Sequence, residues 1–215
     1  MKTLARFALL ATTFGTVGLV ACNSVLGWDE ARIDPILDAA AIPDTNELSC
    51  ESYCALVAAN CSGDNLQYLT PGICLAMCVF DPGALTDEKT LSVGCRQHYA
   101  QLAKDNPATN CLKAGPLGGK QCGDACQAFC QIEKERCETA YASVAACRTA
   151  CAKFAYDEKQ QITRDQDQDT LNCRAYHLQA AFANVKAQKT HCPHTSEASD
   201  MCMPPPDAGA EAAGD

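Results

Sequence analysis

The chain is short of most of what specific chemistry requires. Lysine and arginine number 17 against 26 acids, a net charge of −9. A chain so poor in base is a bad partner for nucleic acid or anionic headgroups, which are held through clustered Lys and Arg. No C-x2-C occurs anywhere, which excludes a thioredoxin-like dithiol at a helix start and C-x2-C-H haem attachment. There is no G-x-S-x-G and no H-E-x-x-H, and the nearest approach to a P-loop, Gly115 to Lys120, meets Gln121 where Ser or Thr is required. Carboxylates are plentiful but scattered, so no acid–base pair stands out and no enzymatic activity is expected. Strand-type alternation is nearly absent. The longest apolar run, Phe7 to Val20, is too short and too rich in Thr and Gly for a good spanning helix.

What the chain does have is cysteine, seventeen of them. Cys22 stands alone, at the end of that apolar run. Lys2 and Arg6 precede the run and Leu19-Val20-Ala21-Cys22 closes it, the layout of an export signal. The ending resembles the lipobox of bacterial lipoproteins through Leu19, Ala21 and Cys22. The resemblance covers residues 1–22 and implies cleavage before Cys22, a diacylglyceryl group on its sulfur and acylation (palmitate) of the new amino terminus. Such multiple acylation anchors a protein stably at a membrane. Asn23 after the anchored cysteine implies the outer rather than the inner membrane under the enterobacterial sorting rule. The alternative is an ordinary secretory signal with a cysteine near the cut. Removal of residues 1–21 takes two bases and no acid, leaving a mature charge of −11.

The other sixteen cysteines form two sets of eight in matching order. Cys50, Cys54, Cys61, Cys74, Cys78, Cys95, Cys111 and Cys122 are followed by Cys126, Cys130, Cys137, Cys147, Cys151, Cys173, Cys192 and Cys202. Neighbouring residues match too. Cys50-Glu51-Ser52-Tyr53-Cys54 aligns with Cys126-Gln127-Ala128-Phe129-Cys130, Cys95-Arg96-Gln97-His98-Tyr99 with Cys173-Arg174-Ala175-Tyr176-His177, and Gln101 with Gln179. The chain therefore contains a duplication. Modules of this size have marginal hydrophobic cores, and cross-links commonly supplement them. Export favours disulfides, and the cysteine count becomes even once Cys22 is assigned to the anchor.

Helix signals surround the cysteines. Asp44 with Glu47 reads as a capping box ahead of Cys50, and Asp124 with Gln127 as another ahead of Cys130. Thr70-Pro71 starts a helix that carries Cys74 and Cys78 and that Asp81-Pro82-Gly83 stops. A third helix carries Cys95, Tyr99 and Leu102 on one face and ends before Asn106-Pro107; its counterpart begins near Thr170 and carries Cys173 and His177. Each C-x3-C places two sulfurs one turn apart on one helix face. Close-packed helices flanked by Ala55, Ala58, Ala76, Ala128 and Ala150 bring facing Cα atoms within disulfide range. A two-rung ladder, Cys54 to Cys74 and Cys50 to Cys78, fits, as does its copy, Cys130 to Cys147 and Cys126 to Cys151. The spacing resembles that of the twin C-x3-C hairpins of small mitochondrial intermembrane-space proteins. A shifted ladder, Cys61 to Cys74 and Cys54 to Cys78, fits about as well.

The expected architecture is all-α. Residues 1–21 are the signal, 22–43 a tether, 44–122 and 123–202 two tandem disulfide-rich modules of about three helices each, and 203–215 a disordered tail. In the tether, Ile33, Ile36 and Leu37 share a face of a short helix around Ala31 to Ala40, and Trp28 packs on a module or sits at the membrane interface. The expected role is that of a binding or structural module at the bacterial cell envelope, with the membrane reached through the lipid and an envelope protein or a glycan as partner. No cofactor and no metal are expected.

One competing chemistry remains open. The C-x3-C spacing also resembles that of copper-storage bundles, whose thiolates hold Cu(I); against it stand the exported compartment and the scarcity of Met, four residues in all. His191-Cys192-Pro193-His194 offers two imidazoles, but module one has Asn110-Cys111-Leu112-Lys113 there, and a solvated loop is expected. Asp165, Asp167 and Asp169 alternate like the start of a calcium loop, yet Thr170 occupies the Gly position and Tyr176 the Glu position. A solvated insertion is expected over Gln160 to Asp169. His98 and His177 fall one residue out of register, which assigns them surface or packing roles. A deep pocket that gathers Arg96 or His98, or their counterparts, would favour an enzyme.

Overall fold

The computed structural model describes residues 47–157, 159, 162 and 168–203. The signal segment, Cys22, the tether with Trp28, Asp44, Asp165, Asp167 and the tail from Pro204 lie outside the described residues.

Eight α-helices carry the described chain, four per module. Module one holds α1 (Cys50–Asn60), α2 (Pro71–Ala76), α3 (Val93–Leu102) and α4 (Pro107–Ala114). Module two holds α5 (Ala125–Arg136), α6 (Val144–Cys151), α7 (Leu171–Ala181) and α8 (Val185–His191). Only two isolated bridges, Asp81 with Ser92 and Ala155 with Thr170, represent extended pairing among the described residues. The fold is all-α and disulfide-rich, as its sequence leads one to expect.

Local chemistry sets every helix start. Ser49, Thr70, Ser92, Asn106, Asp124, Ser143, Thr170 and Asn184 each accept the N–H of the residue three positions on. That contact satisfies one of the backbone donors a helix leaves unpaired at its first turn. The Asp124 and Thr70-Pro71 signals work as expected. At α1, however, the cap is Ser49, and Glu47 lies ahead of the helix, where its carbonyl accepts from Gln97 Nε2 at 2.7 Å. Each module has one helix beyond the expected three, because Asn106-Pro107 opens α4 as well as following α3. Asn caps well and Pro suits the first helical position, so a stop for one helix is a start for the next. On α3, Cys95 and Tyr99 are buried, and Leu102, at the helix end, is 42% exposed.

All sixteen described cysteines are paired, and the pairing repeats. Cys50–Cys78 and Cys54–Cys74 form a two-rung ladder between α1 and α2, with Cα separations of 5.9 and 5.8 Å. Cys126–Cys151 and Cys130–Cys147 do the same between α5 and α6, at 5.6 and 5.8 Å. Cys61–Cys111 and Cys137–Cys192 tie the end of the first helix to the fourth-helix region. Cys95–Cys122 and Cys173–Cys202 tie the third helix to the segment that closes each module. The shifted ladder does not form, because Cys61 caps the C-terminus of α1 and joins α4 instead.

No bridge joins the modules, yet they share one hydrophobic core within a single compact unit. Polar side chains on backbone make the joint. Gln179, fully buried on α7, accepts from Leu69 N at 3.0 Å and donates from Nε2 to Gln67 O at 3.0 Å. Gln131 Nε2 donates to Val79 O at 2.9 Å. Each bond satisfies a main-chain group at the joint and contributes about 0.5–1.5 kcal/mol.

A buried arginine pins each module in the same way. Arg96 and Arg174 lie at matched positions and stack on Phe80 and Phe154, with guanidinium carbons 3.7 and 3.6 Å from the ring centres. Nη1 of each donates to the carbonyl of its helix cap, Ser92 or Thr170. Nη2 reaches forward to Pro116 or Cys202 in the closing segment. These arginines, both almost fully buried, hold the fold together.

Candidate functional site

The two modules can be compared position by position around the fourth disulfide-bearing segment. In module one, Tyr99 on α3 faces Asn110 and Lys113 on α4. Lys113 Nζ lies 4.8 Å from the centre of the Tyr99 ring and 3.4 Å from Asn110 Oδ1. This is a cation resting on an aromatic face and an amide, with no further chemistry required.

In module two the same three positions are His177, His191 and His194. His177 is expected in a surface or packing role and the 191–194 segment as a solvated loop; the loop expectation is corrected by a short helical turn over Cys192–Thr195 that follows α8 directly. Nδ1 of His177 and Nδ1 of His191 are 3.0 Å apart, so one ring donates a proton to the other. The ring centres are 5.2 Å apart for His177 and His191, 4.8 Å for His177 and His194, and 6.1 Å for His191 and His194. His177 is buried, whereas the other two are half-buried. His194 Nδ1 lies 2.7 Å from Asp200 Oδ1, a carboxylate otherwise in solvent. Burial, and then the nearby His194, lower the pKa of His191 and favour its neutral form.

Behind the histidines, the sulfurs of Cys173 and Cys202 and a ring nitrogen of His177 all lie within 4.8 Å of one another. The two sulfurs are bonded to each other, so they offer no thiolate. The same holds for every described cysteine. A Cu(I) store built on C-x3-C thiolates has no thiolate to use in this state. Asp169 of the calcium-like run pairs with Arg174, its Oδ1 accepting from Nη1 at 2.9 Å. His98 is half-buried and meets Tyr99 edge to face.

Beside this cluster, module two has an open depression of about 1080 Å³ between residues 136–142 and 188–200. Arg136, Glu138, Tyr141, Lys189, Glu197 and Asp200 give it a mixed-charge lining. Next to it Glu133 is buried at 2% exposure, and its Oε1 has no hydrogen-bond partner. Desolvation raises its pKa to about 7. The residue at the same place in module one is Val57, an ordinary core residue.

The sequence shows the His191–Asn110 and His194–Lys113 substitutions once Cys192 is aligned with Cys111. It also shows His177 opposite Tyr99. Read together, those three columns would reveal the cluster; taken one at a time, each histidine looks incidental. Glu133 has a similar signal, an acid in the column where the other copy has Val57.

No protein-family model, no curated protein and no solved structure matches the chain.

Proposed function

We propose that this chain is a lipid-anchored, disulfide-stapled component of a bacterial cell envelope, acting as a binding or structural module and not as an enzyme. The observation that carries the reading is the complete pairing of sixteen cysteines into two identical four-bridge sets, with Cys22 left as the one odd cysteine in the sequence. Stable disulfides on this scale belong to oxidising, exported compartments. The lipobox-like Leu19-Val20-Ala21-Cys22 supplies the address and the anchor, with the outer membrane as destination. Among the described residues no helix is long and apolar enough to cross a membrane, so attachment in this reading rests on the acyl chains at Cys22.

The binding role draws on the mixed-charge depression of module two, held on loops that disulfides restrain. A rigid pocket lined with both signs of charge and with Tyr141 suits an envelope protein or a glycan as partner. Nucleic acid does not suit it, given the net charge.

Expression in a Gram-negative host tests the reading. The wild-type protein should take up labelled palmitate and fractionate with outer membranes, and Cys22→Ala should lose the label and move to the soluble exported fraction. An unlabelled wild type would overturn the anchor. Titration of the mature protein should find no reactive thiol, and sixteen would overturn the disulfide reading. Cross-linking on intact cells should recover a partner whose yield falls in Lys189→Glu and Glu197→Lys; recovery unchanged by both would remove the depression from the proposal.

A further inference from the structure

Three of the four histidines in the chain meet at one place in module two, and the scaffold does not call for them there. Module one carries the same helices and the same bridges with Tyr99, Asn110 and Lys113 in their place, so packing alone is met without imidazole. We propose that His177, His191 and His194 form a binding site for one divalent late-transition-metal ion, of the zinc or copper(II) class.

Imidazole nitrogens are the ligands these ions favour, and magnesium and calcium select oxygen instead. Two nitrogens bound at about 2.0–2.1 Å to a shared tetrahedral ion stand roughly 3.3 Å apart. The Nδ1 atoms of His177 and His191, at 3.0 Å, need to part by only a few tenths of an ångström. Metal binding replaces the proton they share. His194 is the third ligand, its ring centre 4.8 Å from that of His177. Its separation of 6.1 Å from His191 is wider than a shared ion allows, so binding draws His194 inward. His194, whose side chain is 15% exposed, has to turn about its own side-chain bonds to bring a nitrogen into range. Asp200, at His194 Nδ1, leaves Nε2 as the ligating atom and orients the ring. A carboxylate behind a ligating histidine is the usual support for such a site. The half-buried rings of His191 and His194 give the ion a way in, and a fourth position remains for water or a ligand atom of a partner.

The site stands independently of the envelope reading, since it uses only the oxidised fold. The test uses the full mature chain, with thiols verified as absent, stripped with chelator and titrated calorimetrically with zinc chloride; copper(II) is followed by nitrogen hyperfine structure in its electron paramagnetic resonance spectrum. One equivalent should bind, with magnesium giving no signal. His191→Asn with His194→Lys restores the module-one pair and should abolish binding while the far-ultraviolet circular dichroism stays unchanged. Asp200→Asn should weaken affinity about 10-fold or more, and His98→Ala should leave it unaltered. Absence of binding to the oxidised wild type overturns the proposal. So does binding that persists in the double variant, or binding that arises only after reduction, which would assign the ion to thiolates.

Discussion

Module one and module two share four bridges, four helices and a stacked arginine each, but they differ wherever a side chain is free to vary within that frame. Val57 in one core becomes Glu133 in the other, and Tyr99, Asn110 and Lys113 become three histidines. The helix-to-loop contact before the third helix differs in kind. Gly94 lets the backbone come close, since a Cβ there would clash with the Ala84 carbonyl, whereas Asn172 spans the gap by bonding both the N–H and the carbonyl of Asp157 at 3.0 Å. Cross-linking explains the tolerance. Covalent bridges carry much of the stability of small domains, so individual positions can take costly residues such as a buried carboxyl without loss of the fold. The first copy is the plainer scaffold, and the second has gathered the ionisable groups.

The comparison can be broken most forcefully at the bridges. Removing Cys61–Cys111 or Cys137–Cys192, which close loops of 50 and 55 residues, should each cost about 4 kcal/mol by the loop-entropy relation. Denaturant unfolding of Cys61→Ala/Cys111→Ala and Cys137→Ala/Cys192→Ala should therefore give nearly equal losses. A difference above about 2 kcal/mol would mean that the copies rely on their bridges unequally.

The arginines sharpen the contrast. Arg174 has the Asp169 carboxylate and a further bond from Nε to Ser196 O at 3.2 Å; Arg96 has no carboxylate among the described residues and an unpaired Nε. Arg174→Met should cost about 3 kcal/mol and Arg96→Met about 1–2 kcal/mol, because a buried cation without a counter-charge returns part of its desolvation cost when removed. Urea denaturation at neutral pH reads both.

Glu133 should make stability depend on pH in module two. Its carboxyl is held protonated up to about pH 7 in the fold, whereas the unfolded chain ionises in the usual glutamate range. Between those limits the folded state binds more protons, so its stability falls as pH rises, by up to about 3 kcal/mol in all. Glu133→Gln should flatten this slope, with a gain of about 2 kcal/mol at pH 8 and little change at pH 4. An unchanged pH profile of unfolding would show that the carboxyl ionises freely. Gln179→Ala should have the smallest effect, about 1–2 kcal/mol from two orphaned backbone groups. Its distinguishing readout is faster hydrogen exchange at Leu69, on the other module.

Much of the frame was legible in the sequence because it is local. The capping residues Thr70, Asp124 and Thr170 act within one turn, and C-x3-C puts sulfurs on one helix face whatever the rest of the chain does. Other features were misjudged for equally local reasons. Asn106-Pro107 reads as a stop and is also a start, and Ser49 outcompetes the expected Asp44–Glu47 box by lying next to the first helical residue. The convergence of the histidines was not legible one residue at a time, since His177 is 14 positions from His191 and the disulfide-bound turn after α8 brings them together.

By itself the sequence determined that the chain is duplicated, helical and stapled, because helix period, capping and cysteine spacing are properties of a few consecutive residues. Only the tertiary structure decided which ladder forms, that Cys61 leaves it for Cys111, that Gln179 joins the two copies, and that three imidazoles face one another. Those choices depend on how helices cross and which side chains meet across distant segments, and a linear spacing carries no record of that.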